Sequence, residues 1–155
     1  TVGQVRGLLR ELVAAAAEAG AGSAHRGARG GRTWVFIGEL ADEPGAPDDD
    51  NARCVEHDLL GRQAVRLAVD QTVAVGGSRV VRALHQGAVM EGSWGDEAGF
   101  FADATELIAA LATAEPGGGP EAGDVVLVAG KDDLGTTLLS FWQGRADLAV
   151  QVRGR

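Results

Sequence analysis

Short apolar runs alternate with amphipathic segments along most of this 155-residue chain, and this alternation is the strongest constraint on its fold. Parallel strands need a crossover segment between them, usually a helix, so the alternation predicts an α/β fold with a mostly parallel sheet flanked by helices. The strands are predicted at 33–37, 72–75, 99–102 and 125–128, and helices at 78–88, 104–112 and 134–142.

The segments around these units complete the prediction of a single domain over residues 1–155. Apolar residues at helical spacing predict one helix at 2–19 and another that runs through Val55, Leu59, Leu60, Ala64, Leu67 and Ala68. Residues 21–31 are expected to form a flexible loop, and 41–52, with two prolines and three consecutive aspartates, an acidic loop. The alternating tail at 148–152 is predicted to add an edge strand.

Charge and cysteine content narrow the class of partner. The formal net charge of −8 argues against a nucleic-acid backbone or an anionic membrane, because both would repel this surface. One cysteine allows no internal disulfide, which suits a reducing cytoplasm.

No apolar run is long enough to span a bilayer. The chain also starts without methionine or a signal peptide, so we expect it to be part of a longer protein.

Polar residues follow each predicted strand, where an open α/β sheet binds its ligands. Glu39 follows the first strand, and Lys131, the sole lysine, follows the last. Glu39 and Asp42 are therefore candidates to pair with Lys131, as in the acidic pocket of a response-regulator receiver domain. A receiver also needs a phosphoacceptor aspartate after its middle strand, but Asp103 has the spacing of a helix cap with Glu106.

Two other kinds of site find little support in the sequence. Gly130-Lys131 follows a strand and precedes a helix, but a P-loop also needs a glycine where Val125 stands and a serine or threonine where Asp132 stands. Cys54 and His57 lie one helical turn apart, yet no second cysteine is present to complete a zinc site. The sequence therefore predicts neither a main nucleotide site nor a metal site in this chain.

Several segments, in order along about residues 1–140, resemble the C-terminal domain of Mur ligases, in particular the actinobacterial members that add D-alanyl-D-alanine. An apolar strand ends in Gly38-Glu39-Leu40, where the family has Gly-Asp/Glu-Met, and Glu56-His57 precedes the family's spaced glycine and alanine. The remaining matches are Val73-Ala74-Val75-Gly76, Ala83-Leu84-His85-Gln86-Gly87-Ala88, Glu91-Gly92-Ser93-Trp94 and Gly123-Asp124-Val125-Val126-Leu127-Val128.

The resemblance implies a Rossmann-like sheet that closes onto a central P-loop ATPase domain of the same polypeptide. That domain would bind ATP and Mg²⁺ and activate UDP-N-acetylmuramoyl-tripeptide as an acyl phosphate, which the amine of D-alanyl-D-alanine attacks in the cytoplasm. The present domain would bind substrate and be inactive alone, with no catalytic residue of its own. The substrate-binding positions it implies are Glu39, Asp42 and His57, together with Lys131 and Asp132 near the altered last segment.

The sequence also departs from the family pattern. Leu40 replaces the usual methionine, Pro44 replaces a glycine, and the family's Lys-x-Ser-Arg reads Ala129-Gly130-Lys131-Asp132 here. Lys131 is then the residue available to replace the lost positive charge, from two positions later. The alternative is a diverged, non-catalytic binding or regulatory module that has kept the ligase fold.

Overall fold

The computed structural model describes residues 1–22, 31–46, 48–92, 95–143 and 149–152. These residues form alternating helices and strands around a parallel sheet, as the sequence predicts. The elements are α1 (Val2–Gly22), β1 (Thr33–Ile37), α2 (Asp50–Arg66), β2 (Gln71–Val75), α3 (Arg79–Glu91), β3 (Ala98–Phe101), α4 (Ala104–Ala112), β4 (Val125–Ala129), α5 (Leu134–Phe141) and β5 (Ala149–Val152). Among the described helices, none has the length and apolar character that a membrane span requires.

The five described strands form one sheet in the order β3-β2-β1-β4-β5, and all four pairings are parallel. From β1 the chain moves outward through β2 to β3, and then crosses back to β4 on the other side of β1. The carboxyl ends of β1 and β4 therefore form the switch point of the sheet, where open α/β sheets bind ligands. The predicted edge strand in the tail is confirmed as β5.

Helices cover both faces of the sheet. Apolar residues of α1, α2 and α3 pack with Val35 and Ile37 on one face, and those of α4 and α5 pack with Trp34 and Phe36 on the other. Every residue of β1 is therefore buried. A strand covered on both faces has no position for a side chain facing solvent, which is why β1 is apolar except for Thr33, whose hydroxyl donates a hydrogen bond to Asp70 at 2.8 Å.

Helix α2 packs through a different set of residues from the one that its periodicity predicts. Its buried residues are His57, Leu60, Gly61 and Ala64, whereas Val55 and Leu59 are 59% and 46% exposed. The apolar spacing locates the helix correctly, but these two apolar side chains lie outside the core. The inner face is narrow because α2 lies close against α3, where small residues are required.

Glycines set the distance between α2 and α3. A Cβ atom added to Gly61 would lie 2.1 Å from the carbonyl oxygen of Leu84, and one added to Gly87 would lie 2.0 Å from that of Asp58. Both distances are far inside ordinary van der Waals contact, so only glycine permits this approach. The close packing of α2 against α3 therefore depends on these two glycines.

Two helices extend into the predicted loops and shorten them. Asp49 Oδ1 accepts hydrogen bonds from the backbone N–H groups of Asn51 and Ala52 at 2.9 and 3.2 Å, so α2 begins at Asp50 and the acidic loop ends earlier than the predicted 41–52. Helix α1 extends to Gly22, which shortens the predicted loop 21–31, and residues 23–30 of that loop lie outside the described residues.

The predicted cap of the helix at 104–112 is confirmed. Asp103 Oδ1 accepts a hydrogen bond from the backbone N–H of Glu106 at 2.9 Å, and Glu106 Oε2 accepts one from the backbone N–H of Ala102 at 2.8 Å. The two side chains thus satisfy backbone donors at the start of α4, as a capping box does. This structural role accounts for Asp103 without a phosphoacceptor function.

Ala68, which follows the C-terminus of α2, has a backbone conformation that favours glycine. Its φ is +60°, and its N–H donates to the carbonyl of Val65 at 2.9 Å. Because a Cβ atom destabilises this conformation by about 1 kcal/mol, Ala68→Gly should raise the free energy of unfolding by about 0.5–1 kcal/mol in urea titrations. Ala109→Gly, at an exposed interior position of α4, is the control and should lower it by about 1 kcal/mol. Equal losses in both variants would contradict the assignment.

Candidate functional site

The carboxyl ends of β1 and β4 bring Glu39 and Lys131 together. The backbone N–H of Gly38 donates to the carbonyl of Ala129 at 2.8 Å, and that of Lys131 donates to the carbonyl of Glu39 at 2.7 Å, so the strand pairing continues into the site. Lys131 Nζ donates a hydrogen bond to Glu39 Oε1 at 2.7 Å. The predicted pairing of Glu39 with Lys131 is confirmed, whereas Asp42, the other predicted partner of Lys131, contacts Arg53 instead.

Arg53 is a second cation on the same carboxylate, and sequence reasoning missed it. Its Nη2 donates to Glu39 Oε1 at 2.7 Å, while its Nη1 lies 3.3 Å from Asp50 Oδ1. Its Nε lies 2.7 Å from Asp42 Oδ1 without hydrogen-bond geometry, so that contact is purely ionic. A signal was present, because an arginine in the first turn of a helix that follows an acidic loop is a natural counter-charge for it.

The cations beside Glu39 favour its ionised form. The hydrogen bond from Lys131, assisted by that from Arg53, outweighs the effect of burial and lowers the pKa of Glu39 to about 2. Its side chain is 18% exposed, so the charge is partly shielded from solvent. A carboxylate in this state can attract a cation but is a very weak base.

His57 lies beneath Arg53 rather than at the surface of the site. The residue is 2% exposed, and its Nδ1 lies 2.8 Å from the backbone carbonyl oxygen of Arg53. Because a carbonyl only accepts hydrogen bonds, Nδ1 carries the proton, and burial lowers the pKa of His57 and favours the neutral ring. Its Nε2 is buried without a hydrogen-bond partner among the described residues. In this conformation His57 supports the turn of α2 that carries Arg53.

A cavity of about 190 Å³, here called the acidic cavity, opens at the switch point beside Glu39. Three aspartates, Asp103, Asp132 and Asp133, also line it, and none forms an ion pair with a residue that the structure describes. Gly76 lines the wall with a φ of +137° that disfavours other residues. The excess of carboxylates makes the acidic cavity suitable for a cationic group.

A second cavity, of about 290 Å³, lies between α1 and the end of β4 and is here called the α1 cleft. Its wall includes Val5, Leu8 and Leu40, which are apolar, and also Lys131. Glu39 lines the acidic cavity and Lys131 lines the α1 cleft, so their ion pair stands between the two cavities.

The described residues do not fit a nucleotide triphosphate or a magnesium ion. A triphosphate at the start of α5 would meet the carboxylates of Asp132 and Asp133, and Asp133 makes no side-chain cap bond there. Within the described ranges, no three His, Cys, Asp or Glu side chains are placed to hold a metal ion together.

A parallel sheet whose polar side chains gather beyond the carboxyl ends of adjacent strands defines a Rossmann-like ligand-binding domain. Comparison with known proteins identifies the family to which this domain belongs. Over 110 residues the chain is 41% identical to UDP-N-acetylmuramoyl-tripeptide–D-alanyl-D-alanine ligase of Mycobacterium leprae. The aligned region covers 70% of this chain and 19% of that protein. The chain belongs to the Mur ligase family, as the resemblance indicated.

Two further relatives carry the same name. The ligases of Mycobacterium bovis and Mycobacterium tuberculosis (strain H37Rv) are each 47% identical over 64 residues, covering 41% of this chain and 11% of each relative. The chain thus spans about a fifth or less of the length of the curated relatives it matches. No protein-family model and no solved structure matches the chain.

Proposed function

We propose that this chain is the substrate-binding and closure domain of a ligase that joins D-alanyl-D-alanine to UDP-N-acetylmuramoyl-tripeptide in peptidoglycan synthesis. ATP and Mg²⁺ are bound mainly by a central domain of the same polypeptide, in the cytoplasm. The names of the mycobacterial relatives support this assignment, as does the share of their length that the chain spans. The isolated chain is inactive in this proposal, because its described residues offer no place for a triphosphate.

The observation that carries the proposal is the ionised carboxylate of Glu39 on the wall of the acidic cavity. Around it, the carboxylates of Glu39, Asp42 and Asp50 form ion pairs with two cations among the described residues, Arg53 and Lys131. The cluster therefore has a net negative charge, to which the unpaired aspartates of the acidic cavity add. An ammonium group entering the cavity would offset this charge, and D-alanyl-D-alanine carries one such group.

Glu39 acts in this proposal as an anchor for the amine and not as its base. A group with a pKa of about 2 cannot remove a proton from an ammonium near neutral pH. The ammonium must lose its proton to another acceptor once it faces the acyl phosphate. The contribution of this domain is then to position the amine and, on closure, to exclude water from a hydrolysable intermediate.

Phosphate release by the full-length protein tests the proposal directly. With ATP and UDP-N-acetylmuramoyl-tripeptide present, D-alanyl-D-alanine should stimulate phosphate release, and mass spectrometry should show the ligated product. N-acetylated D-alanyl-D-alanine, which lacks the ammonium, is the control and should give no product. Phosphate release that does not depend on the dipeptide, in a protein that still binds ATP, would favour a diverged binding or regulatory module.

A further inference from the structure

The two cations on Glu39, Arg53 and Lys131, differ in solvent exposure and in the number of carboxylates that they contact. Both reach the same oxygen, Oε1, at 2.7 Å. Arg53 is 18% exposed and contacts Asp42 and Asp50 as well, whereas Lys131 is 41% exposed and pairs only with Glu39 among the described residues. An exposed single ion pair is worth little in water, so Lys131 is the cation that can be exchanged.

Lys131 also has room to move. Lys131 is 41% exposed and is one of the residues that line the α1 cleft, whereas Glu39 lines the acidic cavity. Its backbone is fixed by the hydrogen bond from its N–H to the carbonyl of Glu39, so only the side chain would have to turn. An ammonium arriving through the acidic cavity would meet Glu39 on the wall of that cavity and not in the cleft.

We propose that Lys131 is an internal stand-in for the substrate ammonium, which it resembles in charge and shape. In the empty domain it occupies Glu39, and the amino substrate displaces it into the α1 cleft. This inference rests on the proposed function, in which Glu39 anchors the amine. The exchange replaces one ammonium by another while Arg53 stays on Glu39, so the charge around the carboxylate is unchanged. A ligand without an ammonium cannot compete for the carboxylate, and the exchange thereby selects amino substrates.

The direction in which the KM for D-alanyl-D-alanine changes in a Lys131 variant distinguishes competition with the substrate ammonium from binding of the dipeptide carboxylate. If Lys131 competes with the substrate, Lys131→Met in the full-length protein should lower the KM for D-alanyl-D-alanine about three- to five-fold, the size expected for an exposed ion pair. If Lys131 instead holds the carboxylate of the dipeptide, the same substitution should raise the KM. An unchanged or raised KM overturns the inference, and Lys131→Gln repeats the test with a polar side chain.

Two further variants make the result specific. Arg66→Met removes a cation from another exposed ion pair, with Glu91, and should leave the KM unchanged. Glu39→Gln should raise the KM if Glu39 anchors the amine. If the KM is raised in Glu39→Gln but is not lowered in Lys131→Met, the displacement of Lys131 is contradicted, while the anchoring role of Glu39 stands. No change in Glu39→Gln removes Glu39 as the anchor of the amine, whereas phosphate release that does not depend on the dipeptide would overturn the proposed function itself.

Discussion

Glu39→Gln in the full-length protein should lower kcat/KM for D-alanyl-D-alanine by about 30- to 150-fold. The substitution keeps the shape of the side chain but removes the charge, and a hydrogen bond to a charged group contributes about 2–3 kcal/mol. The glutamine amide can still meet Lys131 and Arg53, but it attracts an ammonium only weakly. Steady-state kinetics with saturating ATP and UDP-N-acetylmuramoyl-tripeptide would measure the loss.

A matched control separates binding from stability. Glu91, on α3, is also held by two arginines, Arg62 and Arg66, which lower its pKa, but it lines neither cavity. Glu91→Gln should therefore keep near wild-type turnover. Wild-type kcat/KM in Glu39→Gln would remove this carboxylate from the site.

The pH dependence of stability gives a second readout for Glu39. Its pKa is lower in the folded protein, so its ionised form stabilises the fold above the unfolded value of 4.5, and that stabilisation is lost as the pH falls towards 2. The contribution is about 1–3 kcal/mol after allowance for solvent screening. Glu39→Gln should accordingly lose less stability than the wild type over this pH range. A domain of this size still folds after such a loss.

The sheet could be predicted from the sequence because burial on both faces leaves a clear pattern. β1 was placed correctly at both ends, since no charged residue interrupts Thr33–Ile37 and a glycine follows it. The meeting of Glu39 and Lys131 followed from the same logic, because the carboxyl ends of parallel strands lie at one edge. The strand order that makes β1 and β4 neighbours was not readable, because it depends on where the crossover returns.

The buried face of α2 and the contacts of Arg53 could not be predicted from the sequence, for physical reasons. Periodicity reports spacing, but it cannot say which side of a helix meets the sheet when small residues form the contact, as Gly61 and Ala64 do in α2. Val55 and Leu59 share the apolar spacing of α2 and yet are exposed, and nothing in the spacing distinguishes Arg53 as the cation that contacts three carboxylates. The partners of Arg53 come from the loop before α2, from the first turn of α2 and from the end of β1. Only the folded arrangement brings them together.

Gly87→Ala should lower the free energy of unfolding by about 2–4 kcal/mol in urea denaturation, although alanine favours helices over glycine by about 1 kcal/mol. The added Cβ would lie 2.0 Å from the carbonyl oxygen of Asp58, whereas ordinary contacts are 3.4–4 Å, so α2 and α3 must separate by more than 1 Å. Gly7→Ala is the matched control, because its Cβ meets nothing within 4 Å and should stabilise α1.

The same separation should reach the site, because α2 carries Arg53 and α3 holds it in place. A shift of α2 away from the sheet would lengthen the 2.7 Å contact between Arg53 and Glu39 and leave Lys131 as the main counter-ion. Gly87→Ala should then also raise the KM for D-alanyl-D-alanine at temperatures where the protein remains folded. A variant as stable as the wild type would mean that the helices can adjust at no cost, and that their close approach does not fix the position of Arg53.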